Sequence, residues 1–279
     1  MLIFTGQHLS ADTQATFARR FGPLQGGSDA DRAHSISNLR PDKTVITERD
    51  PTWLTLSYPT RYWHMDGTFG AIAPKICLLG AASVVSQGGQ TAFADMSAAY
   101  DALDPDTKDR MGNLNAYHSN LVGTTRVLPK PNQAYLHTLV GDTPQDGHYG
   151  LGMSADCPLR PLVKYHPVTG RPSLFIGRHA FGVSGMSLAA SERFLSELET
   201  FACQPPRIYE HEWQIGDLIV FDNRRLLHRV RPYDERAETR ELLNCRVVGD
   251  AQTDAGLDTK EARLSIKVQH NELARLRSR

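Results

Sequence analysis

The sequence predicts a mainly β protein, a double-sheet fold with flanking helices. Three observations predict it. Short apolar runs of strand length fill the middle and end of the chain, at 76–85, 91–94, 162–165, 173–176, 207–213, 218–221, 226–230 and 241–248. Turn signals separate them: Gly88-Gly89, Pro167-Val168-Thr169-Gly170, Gly216-Asp217 and Pro232-Tyr233-Asp234. Helical patterns are few and sit beside the strands, as helices that decorate packed sheets do.

In chain order, a short strand opens the sequence and a helix follows over 11–21, with Ser10 as its N-cap and Gly22 as its stop. Two short helices are read at 97–103 and 105–111. Asp104 caps the second, and Pro105 takes its first helical position, where a missing N–H is harmless. The segment 187–203 is a stronger helix, with Leu188, Phe194, Leu195, Leu198 and Phe201 on one apolar face. Residues 132–159 mix Gly, Pro, Asp, Tyr and His without period. They read as a lid or binding loop, or as a disordered insert. From about 250 the chain turns polar and reads as a tail. The whole, 1–279, is taken as one domain.

Composition narrows the function classes. The formal net charge is zero and no basic stripe suggests nucleic acid. The basic ending Arg275-Leu276-Arg277-Ser278-Arg279 reads as a solvated tail. No run approaches the roughly 20 apolar residues that span a membrane. No basic segment followed by an apolar one opens the chain, so no signal peptide is read. The four cysteines (Cys77, Cys157, Cys203 and Cys245) are scattered, with no C-x-x-C. They read as reduced thiols, which predicts a cytoplasmic protein.

The chemistry lies in two distant motifs, Trp63-His64-Met65-Asp66 and Gly216-Asp217-Leu218-Ile219-Val220-Phe221-Asp222-Asn223-Arg224, the latter running on to His228. On a strand, residues i and i+2 share a face, so His64 and Asp66 can address one ion. His228, after an apolar strand and an Asp-Asn turn, is the candidate third ligand. Two imidazoles and one carboxylate form the facial set of non-haem Fe(II) enzymes, which leaves part of the metal open for chemistry. The same set also holds catalytic zinc. His270-Asn271-Glu272 has the same His-x-acid form but lies in the polar tail and is set aside. Of the remaining histidines, His118 and His179 are the best candidates to line a pocket.

With these residues in place, the sequence resembles the taurine dioxygenase / 2,4-dichlorophenoxyacetate dioxygenase family. The resemblance rests on Trp63-His64-Met65-Asp66-Gly67-Thr68-Phe69, Gly88-Gly89-Gln90-Thr91-Ala92-Phe93-Ala94-Asp95-Met96, Ala98-Ala99-Tyr100-Asp101-Ala102-Leu103, His166-Pro167-Val168-Thr169-Gly170-Arg171, and Phe221-Asp222-Asn223-Arg224 to His228. It implies a distorted jelly-roll (double-stranded β-helix), metal ligands His64, Asp66 and His228, and Fe(II), 2-oxoglutarate and O2 as cofactor and co-substrates. It further implies that Thr91 and an arginine on the strand after His228 hold the distal carboxylate of 2-oxoglutarate. Arg240 is the choice and Arg236 the fallback. Alternation puts Arg240, Leu242, Asn244 and Arg246 on one strand face.

The sequence departs from the family pattern where some relatives place a second arginine for an anionic substrate group. Asn244 stands there, and Arg246 lies two residues on. Asp66 argues for hydroxylation, since related halogenases lose this carboxylate; cleavage of a C–O, C–N or C–S bond, desaturation and cyclisation stay open. Tyr62, Gly67, Asn115, His118, Asn244 and Arg246 are the candidate substrate residues, for a small or medium organic molecule. Relatives suggest a homo-oligomer, a dimer or tetramer. The competing readings are a catalytically silent jelly-roll binding protein and a zinc hydrolase.

Overall fold

The computed structural model describes residues 1–26, 32–40, 42–46, 50, 53–129, 132 and 157–258. The strands are β1 (Leu2–Phe4), β2 (His34–Ser37), β3 (Ile76–Ser83), β4 (Thr91–Asp95), β5 (Asn115–His118), β6 (Leu159–Pro161) and β7 (Val163–Tyr165). They continue with β8 (Pro172–Leu174), β9 (Ala180–Phe181), β10 (Ile208–His211), β11 (Leu218–Asp222), β12 (Leu226–Val230) and β13 (Glu241–Val247). The helices are α1 (Ala11–Ala18), α2 (Met96–Asp101), α3 (Pro105–Met111), α4 (Asn120–Val127) and α5 (Leu188–Ala202).

A five-stranded antiparallel sheet, ordered β1-β11-β3-β13-β2, faces a three-stranded one, β10-β4-β12. Smaller sheets, β6-β5-β9 and β7-β8, extend the molecule. Period-two patterning holds the two main sheets together. Cys77 and Leu79 of β3, Ile219 and Phe221 of β11, and Leu242 of β13 meet Phe93 of β4 in one apolar cluster. The alternate residues Leu78, Val220, Cys245 and Val247 turn outward and are covered by Ala15 and Ala18 of α1. A single-residue slip of any of these strands would exchange the two sets.

Caps set the helix limits. Ser10 accepts from Thr13 N, Asp104 from Thr107 N and Ser187 from Ala190 N. The helix read at 97–103 starts one residue earlier, because the Asp95 carboxylate accepts from the amides of Ser97 (2.9 Å) and Ala98 (3.1 Å). The helix read at 11–21 finishes as a tighter turn over Arg19–Phe21. Of the face read on α5, Leu195 and Leu198 are buried, and Phe194 and Phe201 pack against the same core.

Helix α4 escaped the pattern reading. Asn120 to Thr125 are buried all round, so no polar face marks a period. The segment 132–159 lies outside the described residues except for Asn132 and 157–159. Beyond 250 the chain folds back before Asp258. Asp254 is fully buried, its carboxylate meets Lys164 and its carbonyl accepts from Arg160 Nη1 (2.8 Å). Residues 259–279 lie outside the described residues.

Candidate active site

His64 and His228 come from distant parts of the chain and meet as a single antiparallel bridge. His64 N donates to His228 O at 3.1 Å and His228 N to His64 O at 2.9 Å. Gly177 (φ +115) packs closely against this bridge: a Cβ there would lie 2.9 Å from Leu227, 3.1 Å from Trp63 O and 3.3 Å from His64 Cα.

The donor set fits one metal ion. One ligand atom from each of His64, Asp66 and His228 lies within 4.8 Å of the others. Asp66 Oδ1 is 3.6 Å from His64 Nε2 and 3.8 Å from His228 Nε2. His64 Nδ1 sits 2.8 Å from the Tyr62 carbonyl, which only accepts, so Nδ1 carries the proton and Nε2 keeps its lone pair for a metal. Burial, with Arg178 nearby, pushes both imidazoles below their ordinary range, so they are neutral and ready to coordinate. Burial alone would raise Asp66. His228, Arg246 and His64 and a hydrogen bond from Asn244 outweigh it and hold the carboxyl below its usual range.

The three residues border a cavity of about 440 Å³, within the usual size for a small-molecule site. Arg240, Leu242, Asn244 and Arg246 all line it, as the alternation of β13 requires. Thr91 is there too, and its hydroxyl oxygen takes two donors: Trp213 Nε1 at 2.9 Å and Arg240 Nη2 at 3.1 Å. Both lone pairs are thereby used, and the hydroxyl proton is left to give to an acceptor. Arg240 Nε donates to Gly89 O at 2.8 Å, and its backbone N–H to Asn38 Oδ1 at 2.9 Å. Burial lowers the Arg240 guanidinium to about 10, still charged at neutral pH. Gly89 (φ +67) lies against this side chain, since a Cβ there would be 3.3 Å from Arg240 Cδ. Arg236 lies in the Asp234 turn and is absent from the described walls of the cavity.

Not every candidate substrate residue reaches the cavity. Gly67, Asn244 and Arg246 line it. Gly67 also answers a backbone need: φ is +60, and a Cβ would come within 2.8 Å of Pro74. Tyr62, Asn115 and His118 are absent from its described walls. Tyr62 is 37% exposed and its hydroxyl meets that of Tyr58 (3.3 Å). Asn115 pairs with Pro161 between β5 and β6. His118 and His179 both direct Nδ1 at Thr68 Oγ1, at 3.0 and 3.2 Å, so they brace the loop after Asp66, and neither is among the described walls of the cavity.

Pattern reading missed Arg178. It lines the cavity, is buried, and reaches Asn120 Oδ1 (3.3 Å) and Thr124 Oγ1 (3.2 Å) through Nη1. Its Nε has no hydrogen-bond partner among the described residues. Burial lowers it to about 9, against the pull of Asp66. It lies in an irregular loop after β8, with no flanking motif to mark it. Trp213, which orients Thr91, was likewise read only as a strand residue.

The family model described as "Taurine catabolism dioxygenase TauD, TfdA family" matches residues 1–246. The chain belongs to the TauD/TfdA family. It is 43% identical, over 92% of its length and 85% of the relative, to an (S)-phenoxypropionate/alpha-ketoglutarate-dioxygenase of Sphingobium herbicidovorans. It is 38% identical to an alpha-ketoglutarate-dependent 2,4-dichlorophenoxyacetate dioxygenase of Cupriavidus pinatubonensis, over 90% of this chain and 85% of that one. The crystal structure of AAD-2 with Mn(II) and N-oxalylglycine superposes with a TM-score of 0.77 at 31% identity, covering 92% of this chain and 86% of the other. This TauD/TfdA member is a 2-oxoglutarate-dependent dioxygenase, with Fe(II) and O2 completing its requirements. Among the described residues no helix is long and apolar enough to cross a membrane.

Proposed function

We propose that this dioxygenase oxidises aryloxyalkanoic acids at the carbon bearing the ether oxygen. His64, Asp66 and His228 hold the iron, and Thr91 and Arg240 bind the distal carboxylate of 2-oxoglutarate. The observation that carries the substrate class is Arg178, a buried guanidinium in the cavity without a carboxylate in contact among the described residues. Such a charge is costly to leave unpaired, and a substrate carboxylate satisfies it. Ile36, Phe69, Leu79 and Val230 supply an apolar wall of the same cavity for an aryl ring. The names of the relatives agree, since two of them act on phenoxy acids.

Iron with 2-oxoglutarate and O2 supplies the oxidant that converts a C–H into a C–OH, with succinate and CO2 as the other products. The protein's residues do the rest. Arg178 anchors the acid end so that the adjacent C–H faces the triad. The apolar wall keeps water away. Neutral His64 and His228 and charged Asp66 hold the metal without themselves moving protons. A hydroxyl on the ether carbon makes a hemiketal, which collapses to a phenol and a 2-oxo acid.

The two main sheets serve, in this reading, as the faces of a distorted jelly-roll forming one domain. The cytoplasmic setting and the dimeric or tetrameric assembly belong to the same proposal. Arg178→Gln is the test. It should raise KM for (S)-2-phenoxypropionate by about 30-fold or more, the scale of a lost buried charge pair, and leave KM for 2-oxoglutarate near wild type. Unchanged KM for the phenoxy acid, or no turnover of phenoxy acids beside turnover of a sulfonate or amino acid, would overturn this substrate class.

A further inference from the structure

Asp66 is the ligand least supported by secondary structure. His64 sits in a two-residue bridge and His228 within β12, but Asp66 falls in the turn that follows. One side chain takes up both of its main-chain groups. Asn223 Oδ1 accepts from Asp66 N at 2.8 Å, and Asn223 Nδ2 donates to Asp66 O at 2.9 Å and to Pro74 O at 2.9 Å. Asn223 is fully buried, and its own N–H donates to Lys75 O at 3.0 Å.

We propose that Asn223 is a positioning residue for the metal site, clamping the Asp66 main chain so that Oδ1 faces the gap between the two imidazoles. The inference rests on the ligand set proposed above. The chemistry explains the residue type. A carboxamide of this length offers an acceptor to the N–H and a donor to the carbonyl of one residue from two separate atoms. An aspartate of the same shape keeps the acceptor but turns a carboxylate oxygen on two carbonyls. The turn that carries Asn223 has further contacts that do not involve the Asn223 carboxamide. Asp222 accepts from Arg224 N and Nε, both at 3.0 Å, and contacts His166 Nε2 at 2.7 Å. Gly67, against Pro74, closes the same loop from the other side.

The test is Co(II) titration by calorimetry, beside thermal unfolding of the metal-free protein. Asn223→Asp should still unfold cooperatively when metal-free but bind Co(II) about 10- to 100-fold more weakly, the usual scale for a group that orients a ligand. His166→Gln loosens the same turn without touching Asp66. It should lose thermal stability and keep its Co(II) affinity. If Asn223→Asp does not fold, Asn223→Ser, which keeps one hydroxyl for the Asp66 main chain, takes its place with the same expectation. Wild-type affinity in the folded Asn223 variant, or an equal loss in His166→Gln, overturns the clamp. Asp66→Ala in the same titration separates this from failure of the ligand set, which wild-type affinity in that variant would signal.

Discussion

His64 and His228 are hydrogen-bonded partners across a single antiparallel bridge, and their rings lie 4.2 Å apart between centroids. Residues 164 positions apart in the chain are thus set side by side by two main-chain hydrogen bonds, at 3.1 and 2.9 Å. Backbone pairing sets the two residues side by side, and the Tyr62 carbonyl orients the His64 ring through Nδ1. Asp66 alone depends on a side-chain clamp.

The burial of these imidazoles has a pH signature. His64, His118, His179 and His228 are all held below the ordinary imidazole range, with burial the largest cause in each. Above about pH 6.5 they are neutral in both the folded and unfolded chains. Below it the unfolded chain takes up protons first, so acid favours unfolding. The Tm of the metal-free protein should fall as pH drops from about 6.5 towards 5. His118→Gln should show a shallower fall, and a Tm that rises on acidification contradicts the burial account.

Thr91 and Arg240 should separate by magnitude. In the proposed 2-oxoglutarate site, Thr91→Val removes one neutral donor to a carboxylate, worth about 1.5–3 kcal/mol, so KM for 2-oxoglutarate should rise on the order of 10- to 100-fold. Arg240→Gln removes the charge itself and should cost at least as much. Initial rates against 2-oxoglutarate at saturating substrate decide it. A larger effect from Thr91→Val than from Arg240→Gln would reverse the assigned roles.

Much of this was legible in the sequence because period two and short motifs report it directly. The alternation Arg240, Leu242, Asn244, Arg246 predicts one face of β13, and all four line the cavity. Strand geometry predicts His64 and Asp66 on one face, whereas the structure sets Asp66 in a turn with its main chain hydrogen-bonded to Asn223. Arg178 was invisible because an irregular loop has no period, and its role arises from burial without a counter-charge. Helix α4 was invisible because it has no polar face. His118 was misplaced because a histidine near a pocket in sequence carries no sign of which way its ring turns.

Gly89 should matter beyond backbone freedom. Its φ is +67, and an added Cβ would lie 2.7 Å from Val85 and 3.3 Å from Arg240. Gly89→Ala should lose about 1 kcal/mol or more of stability and raise KM for 2-oxoglutarate. Gly170→Ala has a similar φ, +68, with nothing within 4 Å of the new Cβ. It should show the stability loss alone. Equal KM in both variants would separate Gly89 from the carboxylate site.

The most direct measurement is the yield of phenol and succinate from (S)-2-phenoxypropionate under air, with Fe(II) and 2-oxoglutarate, in wild type and Asp66→Ala. The account predicts one phenol per succinate in wild type and neither product above background in the variant. Phenol release without succinate, or equal yields from the variant, would contradict both the 2-oxoglutarate-coupled chemistry at this site and the ligand set assigned to it.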